Sequence, residues 1–202
     1  MNPQSDNAQS LDLAVALAQK AKGGDEFAFD KLVDMFWGDI YRMVYYRTQS
    51  DMDAEDIAQE AFIKAFDGLA QLRDASCFKA WLYSIAVNLV RDHHRRQGAR
   101  RLLRPLEEHD EQTPAPAGRA GGPVLEDEVA SKELWRMIAA FCRGLPGGER
   151  EAFTLHFLDG LGIKEVAQAL GKSESAVKTQ LYRAVAKLRG KPELLKALRG
   201  EA

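Results

Sequence analysis

The sequence has few of the features that secreted, membrane-spanning or metal-dependent proteins need. Cys77 and Cys142 are the only cysteines in 202 residues, and they form no CxxC pair or other short metal-ligand spacing. Two isolated thiols are typical of a reducing cytoplasm, where we expect both to be small buried hydrophobic residues. No apolar run approaches the roughly 18–20 residues of a transmembrane helix, and the N-terminus lacks the basic and apolar segments of a signal peptide. We therefore expect a cytoplasmic protein that binds no metal.

Strand patterns and enzyme signatures are missing as well. No segment shows sustained alternation of apolar and polar residues, and no Asn-Gly or Asp-Gly turn separates two apolar runs. No HExxH, GxSxG or paired-carboxylate arrangement occurs. The adjacent His93 and His94 cannot share one metal-binding face of a helix, so we interpret them as exposed polar residues. The sequence thus predicts an all-α protein with no catalytic residue, no cofactor and no small-molecule substrate.

Helical periodicity fills most of the chain. In the first half, apolar residues recur every three or four positions along 11–22, 25–48, 53–66 and 78–96. In the second half, the same period indicates helices from 129 onward, at 149–158, 163–170 and 174–189, and in the last residues.

A polar segment separates the two helical halves. Residues 105–123 hold four of the seven prolines, three glycines and almost no large apolar side chain. Such a composition cannot bury enough surface to order itself, so we interpret it as a flexible linker. The sequence therefore predicts two small helical domains, with boundaries at 1–24 (an N-terminal helical extension), 25–100, 101–127 (the linker) and 128–202.

Charge is unevenly distributed along a chain whose formal net charge is only −2. Residues 25–60 carry a balance of −7, and residues 105–133 carry −6. Residues 91–104 and residues 172–191 each carry +5. Two separate basic blocks indicate contact with a polyanion at two places, although surface charge also clusters by chance.

The sharpest local feature is a pair of short helices at 162–189. Each presents one apolar face: Ile163, Val166, Ala167 and Leu170 in the first, and Val177, Leu181, Ala184 and Leu188 in the second. Gly171 suits the left-handed end of the first helix, and Ser173 suits the N-cap of the second. At about 100° per residue, the polar front of the second helix contains Ser175, Thr179, Tyr182 and Arg183, with Lys178 at its edge. This pattern favours a DNA-reading helix-turn-helix over a plain helical hairpin.

Both halves resemble regions of one family. The second half resembles region four of the sigma-70 superfamily in GLGIKEVAQALGKSESAVKTQLYRAVAKLR and in the preceding LPGGEREAFTLHFLDG. The first half is similar to region two in DAEDIAQEAFIKAF and FKAWLYSIAVNLVRDHHRR. Two such regions and a short linker are typical of the extracytoplasmic-function (ECF) group, and the resemblance covers roughly residues 20–190. It implies an alternative sigma factor that binds core RNA polymerase and directs promoter recognition and transcription initiation.

The resemblance also implies a polymerase-binding surface. The segment DIAQE is similar to the part of region two that binds the clamp helices of core polymerase, which implies this role for Asp56, Gln59, Glu60 and Ile63. Without the resemblance, a solvated acidic helix face is the simpler interpretation.

Contacts with the opened downstream promoter element are implied for a loop and the helix after it. In the family the matching loop receives a flipped base, which implies DNA contacts for Arg73, Asp74, Ala75 and Ser76. Asn88 matches an asparagine of the promoter-melting helix. The arginines expected to follow the phosphate backbone are Arg91, Arg95, Arg96, Arg100 and Arg101.

In region four, the family positions that meet the major groove of the upstream element match Lys178, Thr179 and Tyr182, while Ser175 and Arg183 are expected at phosphates. The family is usually held by an anti-sigma factor, often part of a membrane protein, so we expect one beside core RNA polymerase and promoter DNA.

Two other functions stay open at this point. One is a helix-turn-helix regulator that acts on duplex DNA without core polymerase, but a receiver-type first half would alternate strands and helices. The other is an all-helical interaction protein, which would not need the basic front of the last long helix.

Overall fold

The computed structural model describes residues 3–102 and 128–198. Within those ranges the regular elements are all helical and none is a strand, which confirms the all-α prediction. The chain divides into two units, residues 1–108 and 109–202. The predicted linker at 101–127 lies outside the described residues, except for its first two residues at the end of a helix. None of the described helices is long and apolar enough to span a membrane.

The first unit is built from four described α-helices. They are α1 (Pro3–Lys22), α2 (Glu26–Thr48), α3 (Asp51–Gly68) and α4 (Phe78–Leu102). Two 3₁₀ turns, Leu69–Gln71 and Ala75–Cys77, connect α3 to α4. The helix predicted at 11–22 is therefore longer at its N-terminal end.

An antiparallel hairpin of α2 and α3 forms the centre of this unit. Its turn is short because Gln49 adopts a left-handed conformation (φ +56°) and Ser50 caps α3, accepting a 3.2 Å hydrogen bond from the Asp53 amide. Aromatic rings pair across the hairpin, with centroids 5.1 Å apart for Phe29–Phe66. Because the buried face of α3 consists largely of alanines, the neighbouring helices can approach it closely; these are Ala54, Ala58, Ala61 and Ala65.

The second unit contains five described α-helices and one wider turn. The helices are α5 (Glu128–Arg143), α6 (Gly147–Phe153), α7 (Ile163–Leu170), α8 (Glu174–Arg189) and α9 (Pro192–Leu198). The prediction of one α-helix at 149–158 is wrong, because the backbone widens into a π-helical turn over Thr154–Leu158. A hydrogen bond from the Asp159 amide to the Thr154 carbonyl closes this wider turn.

The predicted helix-turn-helix is confirmed as α7 and α8. Gly171 ends α7 with φ +63°, and Ser173 caps α8 by accepting a 3.3 Å hydrogen bond from the Ala176 amide. The buried faces are those expected, although Ile163 and Leu188 are only half-buried. Helices α5, α6, α8 and α9 share the adjoining apolar core, which contains Ile138, Phe141, Cys142, Leu145, Phe153, Ala184 and Leu194.

Candidate functional site

One face of α3 exposes three large apolar side chains with two polar side chains between them. The exposed residues recur at alternating intervals of four and three positions, and we call them the α3 stripe: Met52, Asp56, Gln59, Ile63 and Phe66. Met52 is 73% exposed, Ile63 55% and Phe66 48%. An interval averaging 3.5 residues is the heptad spacing by which one helix packs along another. The stripe is therefore an exposed helix-packing seam in the described part of the chain, although the Phe66 ring also packs against Phe29 of α2.

The four residues predicted to bind polymerase differ in their exposure. Asp56, Gln59 and Ile63 lie in the exposed stripe, whereas Glu60 is half-buried and forms a 3.0 Å ion pair with Lys64. Sequence reasoning missed Met52 and Phe66 at the two ends. The heptad interval between them was readable in the sequence, but only the structure shows that this apolar set faces outward while the alanine face is buried.

Contacts from other helices fix the N-terminal end of α3. The Tyr41 hydroxyl donates a 2.7 Å hydrogen bond to Asp51 Oδ1, and this bond, with partial burial, raises the pKa of Tyr41 to about 12. His93 Nε2 on α4 lies 3.7 Å from Asp53 Oδ2. The interpretation of both histidines as exposed is wrong for His93, whose side chain is only 19% exposed because it packs beside this carboxylate. These contacts hold the stripe in a fixed orientation.

The loop predicted to receive a flipped base runs from Leu72 to Cys77. Arg73, Asp74 and Ser76 are exposed, and Asp74 Oδ1 accepts a 2.9 Å hydrogen bond from the Ser76 amide. Ala75 does not fit the prediction, because its side chain is buried at 8% exposure and cannot meet a base. The prediction that both cysteines are buried is wrong for Cys77, which is half-exposed with its Sγ 3.8 Å from Asp74 Oδ2.

The following helix, α4, carries the predicted phosphate-binding arginines. Arg91, Arg95 and Arg96 are all exposed, as is Asn88. Arg91 donates a 3.2 Å hydrogen bond to Asn88 Oδ1, so two residues predicted to contact DNA are already joined. Arg95 forms a 3.0 Å ion pair with Asp92. The side chains of Arg100 and Arg101 lie outside the described part of the chain. The exposed face of α4 is thus basic and can take up phosphates.

Helix α8 presents its five predicted residues on one exposed face. Ser175, Lys178, Thr179, Tyr182 and Arg183 are all exposed, with Tyr182 at 74%. The Thr179 hydroxyl donates a 2.9 Å hydrogen bond to the Ser175 carbonyl. Lys178 reaches Glu174 only at 4.0 Å, too long for a strong ion pair at this exposure. The ammonium, phenol and guanidinium groups of this face are exposed, whereas both hydroxyls have partners, since Ser175 Oγ lies 3.0 Å from Ser173 Oγ.

Two contacts from the start of α6 hold α8 in place, and sequence reasoning missed both. With the Gln180 amide oriented so that its oxygen faces Lys172, its nitrogen donates to the Gly148 carbonyl at 3.1 Å and its oxygen accepts from Lys172 Nζ at 3.0 Å. Lys187 Nζ donates a 2.7 Å hydrogen bond to the carboxylate of Glu149, whose side chain is 10% exposed. Gln180 and Lys187 lie two turns apart on α8, so consecutive residues of α6 fix its rotation and its axial position. We call this set of contacts the α6–α8 clamp.

The two units match two models of one family. Residues 32–100 match sigma-70 region 2, and residues 135–188 match sigma-70 region 4. The chain is 34% identical over 189 residues to the ECF RNA polymerase sigma factor BldN of Streptomyces coelicolor, covering 90% of this chain and 65% of that protein. It is 32% identical to the ECF sigma factor SigW of Bacillus subtilis, covering 90% of this chain and 94% of SigW.

A solved structure shares the fold. CnrH, determined in complex with the cytosolic domain of CnrY, is 27% identical with a TM-score of 0.65, and the match covers 90% of this chain and 97% of CnrH. Region 2 precedes region 4 here, as the ECF group requires, and the likeness to SigW extends over nearly its whole length. The chain therefore belongs to the ECF sigma factors of the sigma-70 family, the non-enzymatic alternative initiation factors that direct RNA polymerase to promoters.

Proposed function

We propose that the α3 stripe is the surface by which this sigma factor binds core RNA polymerase. The observation that supports this assignment is the exposure of three large apolar side chains at heptad spacing, with Asp56 and Gln59 between them. A heptad-spaced seam fits a partner that is itself helical, such as the coiled-coil clamp helices to which the family's matching segment binds. The acidic and amide groups between the apolar residues would select a partner helix with basic or polar residues opposite them.

The basic face of α4 and the loop at Leu72–Cys77 would take up the opened downstream element. Arg91, Arg95 and Arg96 supply sequence-independent attraction to the phosphates. Arg73, Asp74 and Ser76 supply donors and acceptors for one unstacked base, since an extruded base is read through its polar edge. The arginines of α4 would thus supply affinity for DNA, and the loop residues would supply specificity for the base.

The exposed face of α8 would read the duplex upstream element. Lys178 and Thr179 point toward the base edges, where an ammonium group suits guanine acceptors and the threonine methyl group suits the thymine methyl group. Ser175 and Arg183 would hold phosphates, and Tyr182 adds an exposed aromatic ring beside them. This arrangement corresponds to a recognition helix lying in the major groove.

We also propose a cytoplasmic location and an anti-sigma partner. The CnrH structure includes the cytosolic domain of a second protein, CnrY. A similar partner of this chain, attached to a membrane through another part of its sequence, would compete with polymerase for the sigma factor.

Substitution within the stripe tests the polymerase assignment. Ile63→Lys places a charge in the middle of the seam, and Gln59→Lys changes the polar residue beside it. We expect Ile63→Lys to weaken the binding of the full chain to purified core polymerase by roughly 10-fold or more, as for a central interface residue. Gln19→Lys is the matched control, because Gln19 is an exposed glutamine on α1. Glu60→Lys is a poorer choice, since it would also repel Lys64.

The same variants should bind duplex upstream-element DNA as the unmodified chain does, because α8 lies in the other unit. Unchanged polymerase affinity in Ile63→Lys would contradict the assignment of the stripe. Parallel loss of both activities would mean that the substitution unfolds the protein, and circular dichroism checks this directly.

A further inference from the structure

Helix α1 contacts the loop that is proposed to receive a base. Lys22, the last residue of α1, donates a hydrogen bond from Nζ to the Leu72 carbonyl at 2.6 Å, across 50 residues of sequence. Leu72 ends the first 3₁₀ turn and directly precedes the exposed Arg73. A carbonyl at the end of a helical turn lacks an intrahelical donor, so an ammonium group is a favourable partner for it.

Helix α1 also supports the other end of the loop. It packs against both 3₁₀ turns, the second of which contains the buried Ala75. Ala14 and Ala18 are buried on α1 itself, at 7% and 0% exposure, and their small side chains allow close approach. The hydrogen bond between Asp74 and the Ser76 amide shapes the middle of the loop from within. Helix α1 thus supports both ends of the loop from outside it.

We propose that Lys22 is a positioning residue for promoter melting: it fixes the loop in the conformation that presents Arg73, Asp74 and Ser76 to an unstacked base. This inference rests on the proposed function of the loop. It extends the DNA-reading site to α1, which lies before the region-2 match at residues 32–100. A base pocket discriminates only when its donors and acceptors are already in place, so a loop released at Leu72 would read bases poorly while still binding phosphates.

A direct phosphate contact by the Lys22 ammonium group is the competing role, and salt dependence separates the two. Loss of a phosphate contact weakens binding similarly on all sequences and reduces the salt slope by about one. Loss of a positioning contact changes the preference among bases at one promoter position and leaves the salt slope unchanged.

The experiment uses the full chain with core polymerase on promoter fragments that vary at each downstream position. Open-complex formation is measured at two salt concentrations for Lys22→Met, Lys22→Arg and the control Lys20→Met, which removes the same charge two residues earlier on α1. We expect Lys22→Met to reduce the preference at one downstream position by about 3- to 10-fold, the effect of losing one hydrogen bond of ordinary strength, because the Lys22 side chain is exposed. Lys22→Arg, which keeps a charged donor, should recover most of that preference, and Lys20→Met should behave as the unmodified chain.

Loop variants make the possible failures distinguishable. If Ser76→Ala alters the base preference but Lys22→Met does not, the positioning role is refuted and the function of the loop stands. A uniform loss with a reduced salt slope in Lys22→Met refutes positioning in favour of a phosphate contact. If Ser76→Ala and Arg73→Ala both leave the base preference unchanged, the loop is not the base-reading site, and the role of Lys22 fails with it.

Discussion

Replacement of Gly148 by alanine tests whether the α6–α8 clamp holds the recognition helix. An added Cβ at Gly148 would lie 2.7 Å from the terminal amide of Gln180, closer than non-bonded atoms approach. The Gln180 side chain would therefore have to move. Its movement would break the hydrogen bonds from Gln180 to the Gly148 carbonyl and from Lys172 to Gln180.

The expected magnitude is a balance of two opposing effects. Two partly buried hydrogen bonds contribute about 1 kcal/mol each to stability. Alanine in place of glycine within a helix gains about 0.5–1 kcal/mol, because the unfolded chain has less backbone freedom to lose. Gly148→Ala should therefore destabilise the second unit, in which α6 and α8 unfold together, by about 1–1.5 kcal/mol in the unmodified chain. In a Gln180→Ala background the hydrogen bonds are already lost, so the same substitution should stabilise it by about 0.5–1 kcal/mol.

Amide hydrogen exchange along α8 in the full chain is the appropriate assay, because the most protected amides of α8 report the free energy of opening of the second unit as a whole. The diagnostic result is a change of sign. In the unmodified chain Gly148→Ala lowers the opening free energy, whereas in the Gln180→Ala chain the same substitution raises the opening free energy above that of Gln180→Ala alone. Equal losses in both backgrounds would refute the reasoning, since the cost would then lie in the α6 backbone. Gly147→Ala is a matched control, because nothing lies within 4 Å of a Cβ added there.

Two further predictions follow from burial and from titration. Leu181→Ala should destabilise the second unit by about 2–5 kcal/mol, because it opens a cavity beneath α8. Arg183→Ala should melt normally but reduce the salt slope of DNA binding by about one. Thermal melts and salt titrations measure these effects, and an exchange of the two effects between the variants would contradict the prediction. Tyr41, with its pKa raised to about 12, binds its proton more tightly in the folded chain than in the unfolded chain. The stability that this proton adds to the fold is therefore full below pH 10 and is lost as pH rises from 10 to 12. The difference between ultraviolet titrations of the unmodified chain and of Tyr41→Phe should show Tyr41 ionising near pH 12; a Tyr41 signal that ionises near pH 10 would contradict the assignment.

The helices and the two surfaces proposed to face DNA were largely predictable from local patterns. Apolar residues at a period of 3.6 define α2, α3, α7 and α8, and the left-handed Gly171 and the cap Ser173 place the turn between α7 and α8 to the residue. These signals are local, because a helix face and a cap depend on neighbours within four positions. The exposed front of α8 followed directly, since the residues that are not buried on one side must lie on the other.

The contacts that position those surfaces were not predictable, because they join distant parts of the chain. Lys22 and Leu72 are 50 residues apart, and Glu149 and Lys187 are 38 apart. A lysine at a helix end is equally consistent with solvent exposure, so its partner cannot be deduced from spacing. The π-helical turn at Thr154–Leu158 was missed for a similar reason: periodicity over five residues does not distinguish it from an α-helix.

The distribution of charge explains why one chain carries both kinds of surface. The first three residues of the α3 stripe, Met52, Asp56 and Gln59, lie within residues 25–60, whose balance of −7 repels DNA, so the proposed protein-binding face does not compete for phosphates. The basic segments 91–104 and 172–191 carry only +5 each, and this limits the number of phosphates that either one can neutralise. Under the proposed function, attachment of the first unit to polymerase would make the encounter of α8 with nearby DNA intramolecular, which would raise the overall affinity without adding a contact. Tight promoter binding would then be a property of the assembled complex, and promoter recognition would be confined to polymerase that carries the sigma factor.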